Sequence, residues 1–399
     1  MEEQSVFCRN GLGRVNSWVE NFYLFRRLHS LIHFVIIISL SCLMMPSVFA
    51  ATPVDNNALH DNGSRLLFSA NQAAHDLSVY RLNLADGQLH EVPGSPYKTG
   101  QYPVSVDSFP DGKFVYVANQ GSSSISVFEV SVSDDTLQPV AGSPFAVGLY
   151  PDSVHLDPKG RFVYVTYEDD DRVAVFSVDA STGAIHDTGL NAATGIHPID
   201  VTLSPVGDFA YVTNFDAASV STYRVNEVTG ALQAVGEAVA TGDRPIYIKI
   251  SPSGHFAFVA NYGSTTVSVF SINANSGQLS EVQGSPFTAG AQPYSVTIDP
   301  SEHFVYAANW GTHDVSAYTL DAESGRLTPV QGSPFSAGWF PYAVVVDDKT
   351  QYAYVANNGE GTISAYHIDE LTGALQELAS SPFASDLGPY GLSLSQRPR

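Results

Sequence analysis

A proline opens a short apolar alternation seven times along the chain, at Pro103, Pro151, Pro198, Pro245, Pro293, Pro341 and Pro389. The fourth residue after each is Asp107, His155, Thr202, Lys249, Thr297, Val345 and Ser393. The second is Ser105, Ser153, Asp200, Tyr247, Ser295, Ala343 and Gly391. Four ionisable side chains, Asp107, His155, Asp200 and Lys249, thus fall on consecutive copies where the neighbours are mostly small and neutral. Such a set could hold a small polar ligand. It could also do acid–base work, with His155 or Asp200 activating a water and Lys249 or Arg244 steadying developing negative charge. The competing reading is a set of ion pairs that only fixes the register between copies, since charges near a narrow space must be paired or solvated.

The residues just before these prolines are Tyr102, Tyr150, His197, Arg244, Gln292, Phe340 and Gly388, and Tyr247, Tyr262, Tyr294, Trp310, Trp339, Tyr342 and Tyr390 lie close by in the pattern. Aromatic faces around one arginine suit a sugar, a peptide or a planar organic acid. Tyrosine also packs well between sheets. The expected ligand-binding set is Asp107, His197, Tyr247, Tyr262, Trp310 and Trp339. The run Glu168-Asp-Asp-Asp171 offers hard oxygens to Ca²⁺, but it lacks the spaced Asp-x-Asp-x-Asp-Gly pattern and reads equally as a solvated loop tip, so no metal is assigned. The sequence holds no serine nucleophile elbow, no glycine-rich phosphate loop after a strand, no Cys-x-x-Cys-His and no His-Glu-x-x-His. No cofactor is expected.

The elements that must position these residues follow from a period. Phe68-Ser-Ala-Asn71, Tyr116-Val-Ala-Asn119, Tyr164-Val-Thr-Tyr167, Tyr211-Val-Thr-Asn214, Phe258-Val-Ala-Asn261, Tyr306-Ala-Ala-Asn309 and Tyr354-Val-Ala-Asn357 recur at intervals of 47 or 48 residues. Each period contains four short alternations of apolar and polar residues, which is the pattern of strands. Turns such as Ser251-Pro-Ser-Gly254 and Gly284-Ser-Pro-Phe287 separate them. Four strands per period make one propeller blade, and seven periods make an all-β, seven-bladed β-propeller over residues 51–399. The first copy lacks a proline-led inner strand before Phe68, and a spare one, Pro389-Tyr-Gly-Leu-Ser-Leu-Ser395, stands at the other end. The spare strand is expected to complete the first blade and seal the ring. The anchors and the residues beside each proline then ring one mouth of a central tunnel, with each anchor Asn capping a turn.

These anchors, the Ser-Pro-x-Gly turn and the period resemble the YVTN-repeat propellers and the wider lactonase-type seven-bladed family, which includes bacterial 6-phosphogluconolactonases and fungal muconate-lactonizing enzymes. The resemblance spans nearly all of residues 51–399 and implies lactone hydrolysis as one activity. The enzymatic branch looks to carry Gly-Pro-Arg-His at one inner strand and Asn-Glu after the next. The matching segment here is Asp243-Arg-Pro-Ile-Tyr247 followed by Asn261-Tyr262, so the Arg, His and Glu positions hold Ile246, Tyr247 and Tyr262. The family's catalytic residues do not carry over.

Eighteen Lys and Arg against 40 Asp and Glu give a formal charge of −22, which argues against nucleic acid or an anionic membrane as partner. Leu31 to Met45 is almost wholly apolar, follows Arg26-Arg27 and precedes Val48-Phe-Ala-Ala51. Residues 1–50 therefore read as a cleaved signal peptide rather than an anchor, being short of the ~20 apolar residues that span a bilayer. Its removal takes both cysteines, Cys8 and Cys42. The expectation is a monomeric, periplasmic or secreted propeller with no lasting membrane anchor. It binds a small molecule or protein partner at the mouth. The alternative is a lactone hydrolase at the same place, or a scaffold that attaches through Trp310 and Trp339.

Overall fold

The computed structural model describes residues 65–347 and 351–395. The expected leader, with Cys8 and Cys42, lies outside them. Among the described residues no helix is long and apolar enough to cross a membrane.

Seven antiparallel sheets follow one another, each the blade expected from the period. Blade 1 combines Arg65–Asn71, Asp76–Leu82 and Leu89–Glu91 with the C-terminal strand Pro389–Ser395 as its inner strand. That strand pairs antiparallel with Arg65–Asn71, from Leu66 opposite Ser395 to Asn71 opposite Pro389. Blades 2 to 7 open with the inner strands Pro103–Ser108, Pro151–Leu156, Pro198–Leu203, Pro245–Ile250, Pro293–Ile298 and Pro341–Val346. Six blades add a fifth, two-residue strand beyond the four-strand path, such as Phe287–Thr288, which pairs with Thr266–Ile272. Blade 3 instead has a nine-residue outer strand, Ile185–Ala193.

The core lies between blades. Phe114, Tyr116, Ile125 and Val127 of blade 2 pack against Val154, Val163, Val165 and Phe176 of blade 3, and equivalent clusters fill other junctions. Where the first residue of the anchor motif is tyrosine, it ties these faces together; Phe68 and Phe258 take that place in blades 1 and 5. The buried hydroxyls of Tyr116, Tyr164, Tyr211, Tyr306 and Tyr354 donate to the carbonyls of Gly183, Gly230, Gly277, Gly373 and Gly87 in the next blade. Burial pushes the Tyr116 and Tyr164 phenols far above their ordinary range, so they remain neutral donors. The partner must be glycine: Gly230 sits at φ +74°, and a Cβ there would lie 2.7 Å from the Phe162 ring.

The anchor Asn does more than cap a turn. Asn119 accepts from the Gly100 amide and donates to the hydroxyls of Ser124 and Ser126 on the neighbouring strand. Asn214 and Asn357 repeat this pattern. In blade 3 the Tyr167 hydroxyl takes the Asn's place and accepts from Gly148. All seven anchors are buried within their blades. They therefore hold the mouth loops in place without lining the mouth surface, which corrects the expectation that they ring it.

Two outcomes test this frame. Tyr164→Phe removes one inter-blade bond and should cost about 1 kcal/mol in urea unfolding. Truncation before Pro389 exposes the inner edge of Arg65–Asn71 and should make the protein aggregate on size-exclusion chromatography under conditions where the full chain does not. An unchanged elution profile and unchanged stability would contradict the closure.

Candidate functional site

The inner strands converge on the tunnel. The pairing register slips just after each proline, resuming at the third residue after it in blades 3 to 5, as at Val154, and at the second in blades 2, 6, 7 and 1, as at Ser295. This bulge turns the first residue after the proline toward the mouth as well. The site consequently has two levels.

The lower level gathers the four ionisable residues. His155 lies with Nε2 3.1 Å from Asp200 Oδ1 and Nδ1 3.8 Å from Asp107 Oδ2. Lys249 is exposed and close enough for its charge to act on both His155 and Asp107. The Asp200 carboxylate is 1% exposed and the His155 side chain 30%. Burial of the ring opposes its charge, but Asp200 and then Asp107 outweigh it and hold the imidazole pKa above its ordinary value. Burial also raises the Asp107 carboxyl, partly offset by His155.

Both carboxylates do structural work too. Ser105, Ser153 and Ser295, at the second position after the proline, accept from the amide of the next blade's third position, Val154, Val201 and Val344. Asp200 keeps this tie, its Oδ2 accepting from Ile248 at 3.2 Å, while Oδ1 faces His155. Asp107 accepts from Leu156 at 2.9 Å.

The upper level is divided in two. Blades 6, 7 and 1 supply Tyr294, Tyr342 and Tyr390 as first residues after the proline. Their ring centroids lie 4.3 to 5.6 Å apart, and Tyr247 of blade 5 lies 5.9 Å from Tyr294. Tyr294 and Tyr390 share a short hydroxyl contact. Phe215, Tyr262 and Trp310, each following its anchor, continue the aromatic wall up to Phe340, on which Trp310 stacks at 4.7 Å. Opposite stand the polar groups of blades 2 to 4. Gln120 donates to Asp152 at 2.7 Å, and the charge of Asp152 is felt by Tyr247 and Tyr390. His197 is bracketed by Glu168 and Asp216, with Nδ1 2.7 Å from Asp216. The Arg244 guanidinium lies over Phe215 at 5.7 Å.

Asp107, His155, Asp200 and Lys249 are thus brought together, as are Tyr247, Tyr262 and Trp310. His197 and Arg244 flank Phe215 at the rim, and Trp339 sits on the rim at 55% exposure. The acidic run divides its duties. Glu168 pairs with His197, Asp170 with Arg172, and Asp171 accepts from the His197 amide. Among the described residues no three His, Cys, Asp or Glu side chains are grouped to share a metal ion. Asp152, Gln120, Phe215 and Asp216 were not singled out from sequence. The first position after each proline, which the alternation model assigns to the sheet interior, carried the signal for Asp152.

The family described as "Lactonase, 7-bladed beta-propeller" matches residues 96–198 and 191–290. The chain belongs to this family. The search of curated proteins finds no match. Among solved structures, the Pseudomonas aeruginosa periplasmic gluconolactonase is similar over 84% of this chain and 99% of its own, at 21% identity and a TM-score of 0.72. A Bacteroides fragilis protein described as a candidate 6-phosphogluconolactonase covers 86% and 99%, at 20% and 0.74. Kuenenia stuttgartiensis hydrazine synthase is similar over 72% of this chain and 88% of its own, at 18% and 0.55. At such identities the likeness is one of fold. A lactonase-type propeller is a scaffold that carries more than one chemistry.

A raised His155 pKa has a sign that can be checked. Its charged form is favoured in the folded state, so its contribution is complete below about pH 6.5 and is lost as pH rises through the higher folded value. The groups facing it are Asp107, Asp200 and Lys249. Wild-type Tm should fall between pH 6 and pH 8.5, and the fall should shrink in His155→Gln. A profile unaltered by the substitution would contradict the pairing.

Proposed function

We propose that this protein is an exported lactonase-type propeller that binds a polyhydroxylated ring, a sugar or a sugar-acid lactone, on the upper level of its tunnel mouth. The observation that carries the reading is the division of that level into a tyrosine and tryptophan wall and a facing wall of Gln120, Asp152 and Glu168. Ring C–H faces stack on aromatics while hydroxyls donate to carboxylates and amides. The apolar leader before Ala50 supports export, and the fold likeness to a periplasmic gluconolactonase supports the choice of lactones as first candidates.

Lactone hydrolysis is the second reading, favoured by His155 beside Asp200 with Lys249 near. The geometry alters the part His155 would take. An imidazole whose two nitrogens face carboxylates, with a raised pKa, is a proton donor more readily than a base. It would serve a leaving alkoxide or a developing oxyanion together with Lys249, and Asp200, held by the Ile248 amide, would keep it charged. The lower level is equally complete as a register device for blades 2 to 5.

A panel of aldonolactones separates the readings. Binding should quench the fluorescence of Trp310 and its tyrosine neighbours, and the quench should drop at least tenfold in affinity in Trp310→Ala. Acid release above the spontaneous rate, lost in Lys249→Ala, would make hydrolysis the activity. No quench by any sugar or lactone would overturn the proposal.

A further inference from the structure

The charges at the mouth decide which rings it can accept. His155 is bracketed by the carboxylates of Asp107 and Asp200, and His197 by those of Glu168 and Asp216, so neither of these two imidazoles offers surplus positive charge. Asp152 adds another carboxylate on the upper level, directed so that its charge reaches Tyr247 and Tyr390. The further cations are Arg244, which lies over the Phe215 ring and follows Asp243 in the chain, and Lys249 on the lower level, beside Asp107 and His155. The whole chain carries −22. A phosphate dianion is bound by clustered, unneutralised Arg or Lys or by a nest of amides. The upper level instead places carboxylates opposite its stacking wall.

We propose that the mouth discriminates by charge and accepts the neutral, unphosphorylated form of its polyhydroxylated ring while rejecting the phosphorylated form. The inference rests on the binding reading above and adds what that reading leaves open, the ionic class of the ligand. Carboxylates such as Asp152 and Glu168 accept hydrogen bonds from hydroxyls on a neutral ring. The same oxygens face a phosphate with like charge and no donor of their own. The repulsion acts partly through solvent at the open mouth, so it must weaken as salt shortens the screening length from about 10 Å at 0.1 M to about 3 Å at 1 M.

The test uses freshly dissolved D-glucono-1,5-lactone and its 6-phosphate, with tryptophan fluorescence followed by stopped flow before spontaneous hydrolysis. The neutral lactone should bind at least tenfold more tightly at 0.05 M salt. The ratio should narrow toward unity at 1 M salt, and also in Asp152→Asn and Glu168→Gln at low salt. A phosphorylated lactone that binds equally or more tightly at low salt would overturn the charge filter while leaving the binding reading intact. Absence of binding by both would overturn the binding reading itself. A preference indifferent to salt and to both substitutions would also overturn the filter, since the selection would then be steric.

Discussion

Every other feature of this molecule depends on the pairing of Pro389–Ser395 with Arg65–Asn71. A single blade exposes two faces and cannot bury them alone, because its apolar side chains point toward its neighbours and not toward a common centre. Seven such sheets become stable together only when the row has no end. Closure by the chain's last strand provides that, and it also places seven inner strands around one tunnel. The tyrosine hydroxyls that reach to glycine carbonyls across five of the junctions then act within a closed ring. None of them is left at a free edge.

The ring is regular, yet its inner ties are not. Where the second position after the proline is serine or Asp200, a short oxygen holds the next blade's amide. Where it is Tyr247, Ala343 or Gly391, no such oxygen is present, and the tyrosines of blades 5, 6, 7 and 1 pack against one another across the gap. The two halves of the mouth therefore differ in how they are held as well as in what they present. The polar half is fixed by hydrogen bonds to backbone, whereas the aromatic half keeps the Ser295 tie to Val344 and adds ring packing. Asp200 shows how a site residue is recruited at little cost to the frame. It preserves the serine's tie and gains a second oxygen, which is the one that meets His155.

Most of the fold was legible in the sequence because a repeat of 47 or 48 residues samples the same structural demand seven times. The proline-led inner strand, the anchor Asn and the spare C-terminal strand each announce themselves by recurrence. The lower level of the site was legible for the same reason, since Asp107, His155 and Lys249 depart from a consensus that the other copies define. The upper level was less so. Its geometry depends on a bulge after each proline, and alternation carries no trace of a bulge. Asp152, at the bulged position, accordingly has no signal in the alternation, and the anchors that the sequence pattern sets around the mouth are buried beneath it. Glu168 was read as a possible ion ligand, when its partner is an imidazole from the next blade. That pairing depends on the approach of two loops and has no signature in local spacing.

The aromatic wall has an electrostatic consequence of its own. Burial drives the Tyr247, Tyr294 and Tyr390 hydroxyls well above their usual pKa, with neighbouring carboxylates or tyrosines adding to the effect. These groups stay neutral over the whole physiological range, able to donate and accept but unable to balance a charge. The ionic character of the mouth is therefore set by the charged groups of the polar half together with Arg244 and Lys249 of blade 5. A fold shared with a gluconolactonase and with hydrazine synthase leaves that character undetermined, because the strands supply positions and not charges. It is the few inequivalent residues at equivalent positions, Asp152 where other blades place Val104, Ile199 or Tyr342, that make one side of an otherwise regular ring polar and the other aromatic.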